Sequence, residues 1–216
     1  MAFETERARM IDAQLRARGI SDGRVLRAFA RVPRHLFVPP ELEAQAYEDH
    51  PLAIGAGQTI SQPYIVALMI QWLRLQGHER VLELGSGSGY QLALLAELAL
   101  EVYSIERLPD LAALAHRRLE QLSYQNVQIS PGNGTLGWPE HAPYDCIIVS
   151  AGAPRIPEPL LTQLGADGRL IIPVGNESSQ LLTGVRKQGE KIEKEELVPC
   201  VFVPMIGAYG WPPEDS

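Results

Sequence analysis

The sequence predicts an α/β protein in which helices cover both faces of a doubly wound, mostly parallel sheet. Through the second half of the chain, short apolar runs typical of buried strands alternate with longer runs typical of helices. A glycine-rich turn at residues 85–89 joins the first of these strands to the helix after it, as in a βαβ unit. Farther on, two apolar runs flank a charged turn, which is the pattern of an antiparallel strand pair.

The segment 1–76 is expected to form a helical extension on the substrate side of the molecule. Gly19 is expected to end an amphipathic first helix, and Ser21 to cap the second. Pro63 suits the first turn of a later helix, because an N–H at that position would lack a helical partner anyway. Helices are predicted at 4–18, 22–31, 41–47 and 63–76, with a loop at 55–63.

The core is expected at 77–216, and together with the extension it is predicted to form a single domain over 1–216. Ligand-binding loops should gather at one edge of this core, because the carboxyl ends of parallel strands meet there. The antiparallel pair is predicted at 180–186 and 197–204. The other strands are predicted at 80–85, 101–106, 126–130, 144–150 and 169–174, which makes a seven-stranded sheet, and the helices between them at 90–99, 109–122 and 156–164.

The composition argues against several classes of function. A net charge of −7 leaves no basic field for a phosphate backbone, so no nucleic-acid partner is expected. The first residues lack the apolar run of a signal peptide, and no apolar segment is long enough to span a bilayer, so a cytoplasmic protein without a membrane partner is expected. Cys146 and Cys200 are predicted to be buried free thiols, and the histidines show no metal-ligand spacing, so no metal is expected.

The glycine turn indicates which ligand the βαβ unit holds. A dinucleotide fingerprint, G-x-G-x-x-G, would need a glycine at position 90, where this chain has Tyr90. The sequence instead reads E-x-G-x-G-x-G from Glu83, with an acid inside the strand and a tighter turn. This pattern favours a cationic sulfonium cofactor without phosphates, and we interpret the site as one for S-adenosyl-L-methionine.

Each residue of the turn and its surroundings has a predicted role at this cofactor. The glycines would let the main chain approach the ligand closely, and Glu106 would accept hydrogen bonds from both ribose hydroxyls. Glu83 is expected either to orient the loop or to face the cationic end of the cofactor. Residues assigned to the cofactor from the loops at this edge are Gly85, Ser86, Gly87, Ser88, Gly89, Arg107 and Gly134.

The methyl acceptor is predicted from what the remaining loops lack. Residues 150–154 read Ser-Ala-Gly-Ala-Pro, where amino-methylating enzymes have Asn or Asp followed by Pro-Pro and an aromatic residue. No lysine–histidine pair stands out as a general base, so the acceptor should need no deprotonation. A carboxylate satisfies this condition, because a free aspartyl carboxyl has a pKa of about 3.9 and is ionised at neutral pH.

The chain resembles the bacterial protein-L-isoaspartate (D-aspartate) O-methyltransferases over essentially its whole length. The segment Gly-Gln-Thr-Ile-Ser-Gln-Pro at 57–63 carries this resemblance most specifically, because general methyltransferases lack it. The other segments that carry it lie at 32–38, 81–90, 144–151 and 202–207. The resemblance implies a Rossmann-like methyltransferase fold that esterifies the α-carboxyl of L-isoaspartyl residues in damaged proteins and peptides, after which succinimide formation repairs part of the damage. A monomer is expected.

The resemblance also implies roles for individual residues. Ser61 matches the family's active-site serine, with Thr59 beside it, and an alternative role for Ser61 is to cap the helix that contains Pro63. Gln58 and Ile60 would complete, with Thr59, a wall between cofactor and peptide, while residues 32–38 and 203–207 would frame the peptide groove. These last two segments could instead be ordinary packing.

Two departures from the family pattern leave alternatives open. Asn133 stands where the family usually has an aspartate that accepts from the adenine amino group, and its amide oxygen could still accept. Val201 stands where many bacterial relatives have an arginine. The departures leave room for a related enzyme acting on another carboxylate, and a third interpretation is a binding protein that holds the cofactor without catalysis.

Overall fold

The structure is a computed structural model that describes residues 2–212. Helix α1 (Ala2–Met10) continues into an irregular helical stretch that ends at Arg18, and helix α2 (Gly23–Arg31) follows. A short hairpin, β1 (Leu52–Gly55) and β2 (Gln58–Ile60), precedes helix α3 (Pro63–Leu73). These elements contribute apolar side chains to one continuous core together with the sheet behind them.

The central sheet has seven strands in the order β5-β4-β3-β6-β7-β8-β9. Only β8 runs against the others, pairing antiparallel with β7 and β9. Its strands are β3 (Arg80–Leu84), β4 (Glu101–Glu106), β5 (Val127–Pro131), β6 (Tyr144–Val149), β7 (Leu164–Asn176), β8 (Ser179–Gln188) and β9 (Lys191–Cys200), and its helices are α4 (Tyr90–Ala96), α5 (Pro109–Gln121) and α6 (Glu158–Gln163). The Rossmann-like sheet predicted from the alternation, with its antiparallel C-terminal element, is therefore confirmed. The division at residue 76 stays a prediction.

Apolar side chains on both faces of the sheet explain why its strands read as continuous apolar runs. Val81 faces the core that α1–α5 cover, while its neighbours Leu82 and Leu84 face a second core covered by α6. Successive side chains of a strand point to opposite faces, so a strand buried on both faces is apolar at nearly every position. This accounts for the run Val-Leu-Glu-Leu, in which Glu83 is the exception.

Three predictions about the first half of the chain were wrong. Asp22, not Ser21, caps α2, since its side chain accepts from the Arg24 N–H at 2.8 Å. The predicted loop at 55–63 contains the strand β2. Helix α3 ends before residue 76, because Arg74 takes a left-handed conformation with φ of 53°.

The last strand was also misplaced. Strand β9 begins at Lys191, whereas the sequence pattern placed it at 197–204. Beyond Cys200 the chain leaves β8 and crosses to the loop after β6, where Gly152 N–H donates to the Val203 carbonyl at 2.8 Å and the Gly152 carbonyl accepts from Met205 N–H at 2.8 Å. This crossing brings residues 203–206 to the carboxyl edge of the sheet.

Candidate active site

A cleft opens at the carboxyl ends of the three central strands β3, β4 and β6. It lies where the order of strands reverses on either side of β3, the position at which open α/β sheets bind ligands. The lining residues are Gln58, Thr59, Ile60, Ser61, Glu83, Leu84, Gly85, Ser86, Gly87, Ser88, Tyr90, Gln91, Ile105, Glu106, Arg107, Leu108, Gly134, Ser150, Ala151 and 203–206.

The glycine turn forms the floor of the cleft in a conformation that larger residues adopt with strain. Gly85 has φ of 90°, and a Cβ there would lie 3.6 Å from the side chain of Ser150. Gly89 has φ of 88° and begins α4, where a Cβ would meet the main chain of Ala115 in α5 at 3.3 Å. Gly85 thus lets the chain turn at the floor of the cleft, whereas Gly89 lets two helices approach each other.

Glu106 connects the glycine turn to the next loop. One carboxylate oxygen accepts from the Gly87 N–H at 2.9 Å, and the other accepts from the Leu108 N–H at 2.9 Å. The oxygen bonded to Gly87 also accepts from the Ser86 hydroxyl at 3.5 Å, whereas the other oxygen keeps a second lone pair. The residue lines the cleft although only 6% of it is exposed. The carboxylate is therefore held in place and is able to accept from a ligand hydroxyl.

Glu83 is fully buried at the end of β3. Its Oε1 accepts from the Gln91 side-chain amide at 2.8 Å, and the same amide donates to the Ser150 hydroxyl at 2.8 Å. Its Oε2 is buried without a hydrogen-bond partner in residues 2–212. Burial, with the nearby charge of Glu106 as a smaller cause, raises the pKa of the Glu83 carboxyl well above its ordinary value. An unpartnered carboxylate oxygen at the cleft suits a cationic ligand group.

The hairpin β1–β2 and the start of α3 form one wall of the cleft, which Gln58, Thr59, Ile60 and Ser61 line. Gln62, not Ser61, occupies the cap position of α3, and it makes no side-chain capping bond. The capping role considered for Ser61 is therefore wrong. The Ser61 carbonyl accepts from the buried Arg34 guanidinium at 2.8 Å.

A second concave surface, the adjoining groove, lies on the other side of this wall. Thr59, Ser61, Ser150 and Val203 line both the cleft and the groove. The remaining groove residues are Pro51, Gln62, Ile65, Pro199, Cys200, Val201 and Phe202. A ligand in the groove would meet a ligand in the cleft at the Thr59 and Ser61 side chains.

Two residues assigned to the cofactor lie outside the set that lines the cleft. Gly89 packs against α5, as described above. Asn133 caps a short helical turn, with its Oδ1 accepting from the Thr135 N–H at 3.0 Å and the Thr135 hydroxyl at 2.7 Å. Its amide oxygen is thus occupied within its own loop, while the next residue, Gly134, lines the cleft. In the segment 32–38, Val32, Arg34, Phe37 and Val38 are buried and Leu36 is exposed, and the segment lines neither concave surface.

Some site residues were not predicted. Gln91 lies in the first turn of α4, where every other residue except Tyr90 is apolar. A single polar residue in such a run was a signal in the sequence that could have marked Gln91 as a site residue. The buried charge of Arg34 had no such signal, because arginine is usually exposed and its neighbours in sequence gave no partner. Cys146 and Cys200 are both free, but Cys200 is only partly buried.

The family model described as "Protein-L-isoaspartate(D-aspartate) O-methyltransferase (PCMT)" matches residues 5–210. The chain belongs to this family. It is 54% identical over 209 residues to the protein-L-isoaspartate O-methyltransferase 1 of Syntrophobacter fumaroxidans, covering 97% of this chain and 98% of that one. It is 56% identical over 212 residues to a protein-L-isoaspartate O-methyltransferase of Syntrophus aciditrophicus, with 97% of each chain covered.

Solved structures of the family resemble this fold over nearly its whole length. One protein-L-isoaspartate O-methyltransferase superimposes with a TM-score of 0.84 at 31% identity, over 94% of this chain and 67% of the other. A putative family member from Plasmodium falciparum, solved in complex with S-adenosyl-L-homocysteine, gives 0.79 at 27% identity, over 94% and 98%. None of the helices in residues 2–212 has the length and apolar character needed to cross a membrane.

Proposed function

We propose that this protein is an S-adenosyl-L-methionine-dependent enzyme that methylates the α-carboxyl of L-isoaspartyl residues in damaged proteins and peptides. One observation carries the proposal: Thr59 and Ser61 line both the cleft and the groove, so that a cofactor in the cleft and a peptide in the groove would meet at these two residues. Family membership supports the same reaction and the same acceptor.

The residues of the cleft fit S-adenosyl-L-methionine, which supplies an activated methyl group on a sulfonium. Glu106 would accept from the ribose hydroxyls, since its two oxygens are already oriented by the loops on either side. Glu83 would neutralise the cationic end with its unpartnered oxygen. The glycine turn, with Ser86, Ser88 and Arg107, would surround the ligand.

The groove side of the wall would hold the isoaspartyl carboxylate. The Ser61 hydroxyl, with Thr59 beside it, would donate to this carboxylate and aim one of its oxygens toward the cleft. The carboxylate needs no base at neutral pH, so the protein mainly has to position it and exclude water. We assign no nucleophilic role to Ser61.

The direct test is transfer of a labelled methyl group to a peptide that contains L-isoaspartate, beside the same peptide with normal aspartate. A base-labile methyl ester on the isoaspartyl peptide and almost none on its twin is expected. Equal labelling of the two peptides, or efficient labelling of a different carboxylate alone, would contradict the isoaspartyl assignment. Binding of S-adenosylhomocysteine with no transfer to any acceptor would favour a non-catalytic cofactor-binding protein.

The same proposal includes the setting in which the enzyme works. The acceptors are proteins and peptides rather than nucleic acids or lipids, which fits the net charge of −7. We further propose a cytoplasmic monomer, since isoaspartyl damage is spread over many proteins and the groove is formed within a single chain. Sedimentation at micromolar concentration would test the monomer.

A further inference from the structure

Arg34 is a fully buried cation outside both concave surfaces. Burial lowers the pKa of its guanidinium to about 10, so the group remains charged at neutral pH. Removing a charge from water costs several kcal/mol unless partners compensate. The partners of Arg34 therefore indicate what this charge does.

The guanidinium joins three segments that are far apart in sequence. Its Nε donates to the Ala46 carbonyl at 2.7 Å, and its Nη2 donates to the Ser61 carbonyl at 2.8 Å. Its Cζ lies 4.9 Å from the centre of the Tyr90 ring. Tyr90 is the first residue of α4, directly after the glycine turn, and it lines the cleft.

The Tyr90 ring is itself held from other sides. Phe29 meets it edge to face at 6.0 Å between ring centres, and Phe37 does so at 5.5 Å. These contacts therefore hold the Tyr90 ring in one place at the end of the glycine turn. A guanidinium resting on this ring and donating to Ser61 fixes the main chain of Ser61 relative to the cleft.

We propose that Arg34 is a positioning residue: it sets the place of Ser61, and thus of the acceptor carboxylate, relative to the cofactor. The inference rests on the proposed function, because it concerns the alignment of the two reactants. Lysine cannot replace arginine here, since one ammonium cannot donate in a fixed planar geometry to two carbonyls while it also lies over the Tyr90 ring.

The test compares Arg34→Lys with Arg24→Lys as the control. Arg24 is exposed, and its guanidinium also donates to a main-chain carbonyl, that of Leu75, at 3.2 Å. For each folded variant, kcat and KM are measured with the isoaspartyl peptide at saturating cofactor, and Kd is measured for S-adenosylhomocysteine. Misplacing a reactant by about 1 Å can lower a rate roughly 100-fold. We expect kcat of Arg34→Lys to fall by about that factor. Its Kd for S-adenosylhomocysteine should stay within a few-fold of the wild-type value. The control variant should match the wild type in kcat, KM and Kd.

A second variant separates positioning from stability. Arg34→Ala is assayed with and without millimolar methylguanidinium, while circular dichroism follows the folded fraction. Recovery of kcat at an unchanged folded fraction would support the proposal. Wild-type kcat in folded Arg34→Lys, or failure of both variants to fold, would overturn it. A wild-type enzyme that leaves the isoaspartyl peptide unlabelled would instead contradict the proposed function.

Discussion

Glu83 and Glu106 are carboxylates at the ends of the adjacent strands β3 and β4, and their surroundings differ. Glu106 receives two main-chain N–H groups, one on each carboxylate oxygen. Glu83 receives one amide N–H and leaves its second oxygen without a partner in the described chain. The two carboxyl groups therefore suit different groups of a ligand in the same cleft. Glu106 can accept from neutral hydroxyls, and Glu83 suits a positively charged group.

Cofactor affinity should therefore depend on pH through Glu83. Its raised pKa means that the free protein holds a proton there over part of the pH range, and a cationic ligand favours the ionised form. Binding then releases the proton, so affinity rises with pH up to the raised pKa and is flat above it. Calorimetry in buffers of different ionisation enthalpy measures this release. Glu83→Gln should bind more weakly and release no proton, and an unchanged pH profile in that variant would exclude Glu83.

Glu106→Ala should weaken S-adenosylhomocysteine binding by about 1.5–3 kcal/mol for each charge-assisted bond that is lost. The fold should persist, because the residue lies at a strand end and its N–H partners can turn to water. Glu106→Gln is the matched control, since its one remaining oxygen can still accept. A titration that gives the alanine variant wild-type affinity would remove Glu106 from the site.

Among the elements, the loop after β5 supports the chain that crosses back from β9. Asn133 caps the turn Gly134–Leu136, and the Thr135 hydroxyl accepts from the Tyr209 N–H at 3.3 Å. Through this contact the loop that holds Gly134 at the cleft also steadies the segment that follows Met205. Asn133 itself does not line the cleft. Its side chain supports, through Thr135, the loop that places Gly134 there.

Asn133→Asp should leave cofactor affinity within about two-fold, because a carboxylate keeps both bonds to Thr135 and offers no new contact in the cleft. Asn133→Ala should cost about 0.5–2 kcal/mol of stability, the usual effect of a lost cap. Denaturant unfolding and a binding titration measure the two effects. A clear gain in affinity for the aspartate variant would show that residue 133 reaches the adenine after all.

The elements also show where prediction from sequence succeeds. Buried strands such as β3 are recognisable because both faces demand apolar residues, and the glycine turn is recognisable because its conformation demands glycine. Strand β9 is different. Five of the six residues at 191–196 are charged, because this edge strand is exposed, so the segment lacked the apolar pattern by which the other strands were predicted. Likewise, Arg34 could not be placed from sequence, because its partners at Ala46, Ser61 and Tyr90 come together only in the folded chain.

At the scale of the whole molecule, the two cores on either side of the sheet make the central strands the best protected part. Cys146 in β6 is buried in the first core, and burial raises the pKa of its thiol to about 12. Cys200 at the end of β9 is half-buried, with the pKa of its thiol raised to about 11 by the same cause. Both thiols are thus poor nucleophiles in the native state, and Cys146 is also out of reach.

Labelling of Cys146 should therefore report global unfolding. With a thiol reagent in slight denaturant, its rate follows the unfolded population when refolding is faster than labelling. S-adenosylhomocysteine at about 100 times its Kd should slow this labelling roughly 100-fold, equivalent to about 2.7 kcal/mol. Mass spectrometry distinguishes the two cysteines, and Cys200 serves as an internal control for local opening. Equal rates at both thiols with and without ligand would contradict the predicted protection.

The reversal of β8 has a consequence for the order in which the protein can become active during synthesis. The glycine turn, Glu83 and Glu106 leave the ribosome early. Residues 203–206, which also line the cleft, reach them only after β8 and β9 have turned the chain back. A nascent chain halted at Cys200 would contain every strand of the sheet and still lack part of the cleft. The lining of the cleft is thus complete only after residues 203–206 have been synthesised and have returned to the carboxyl edge of the sheet.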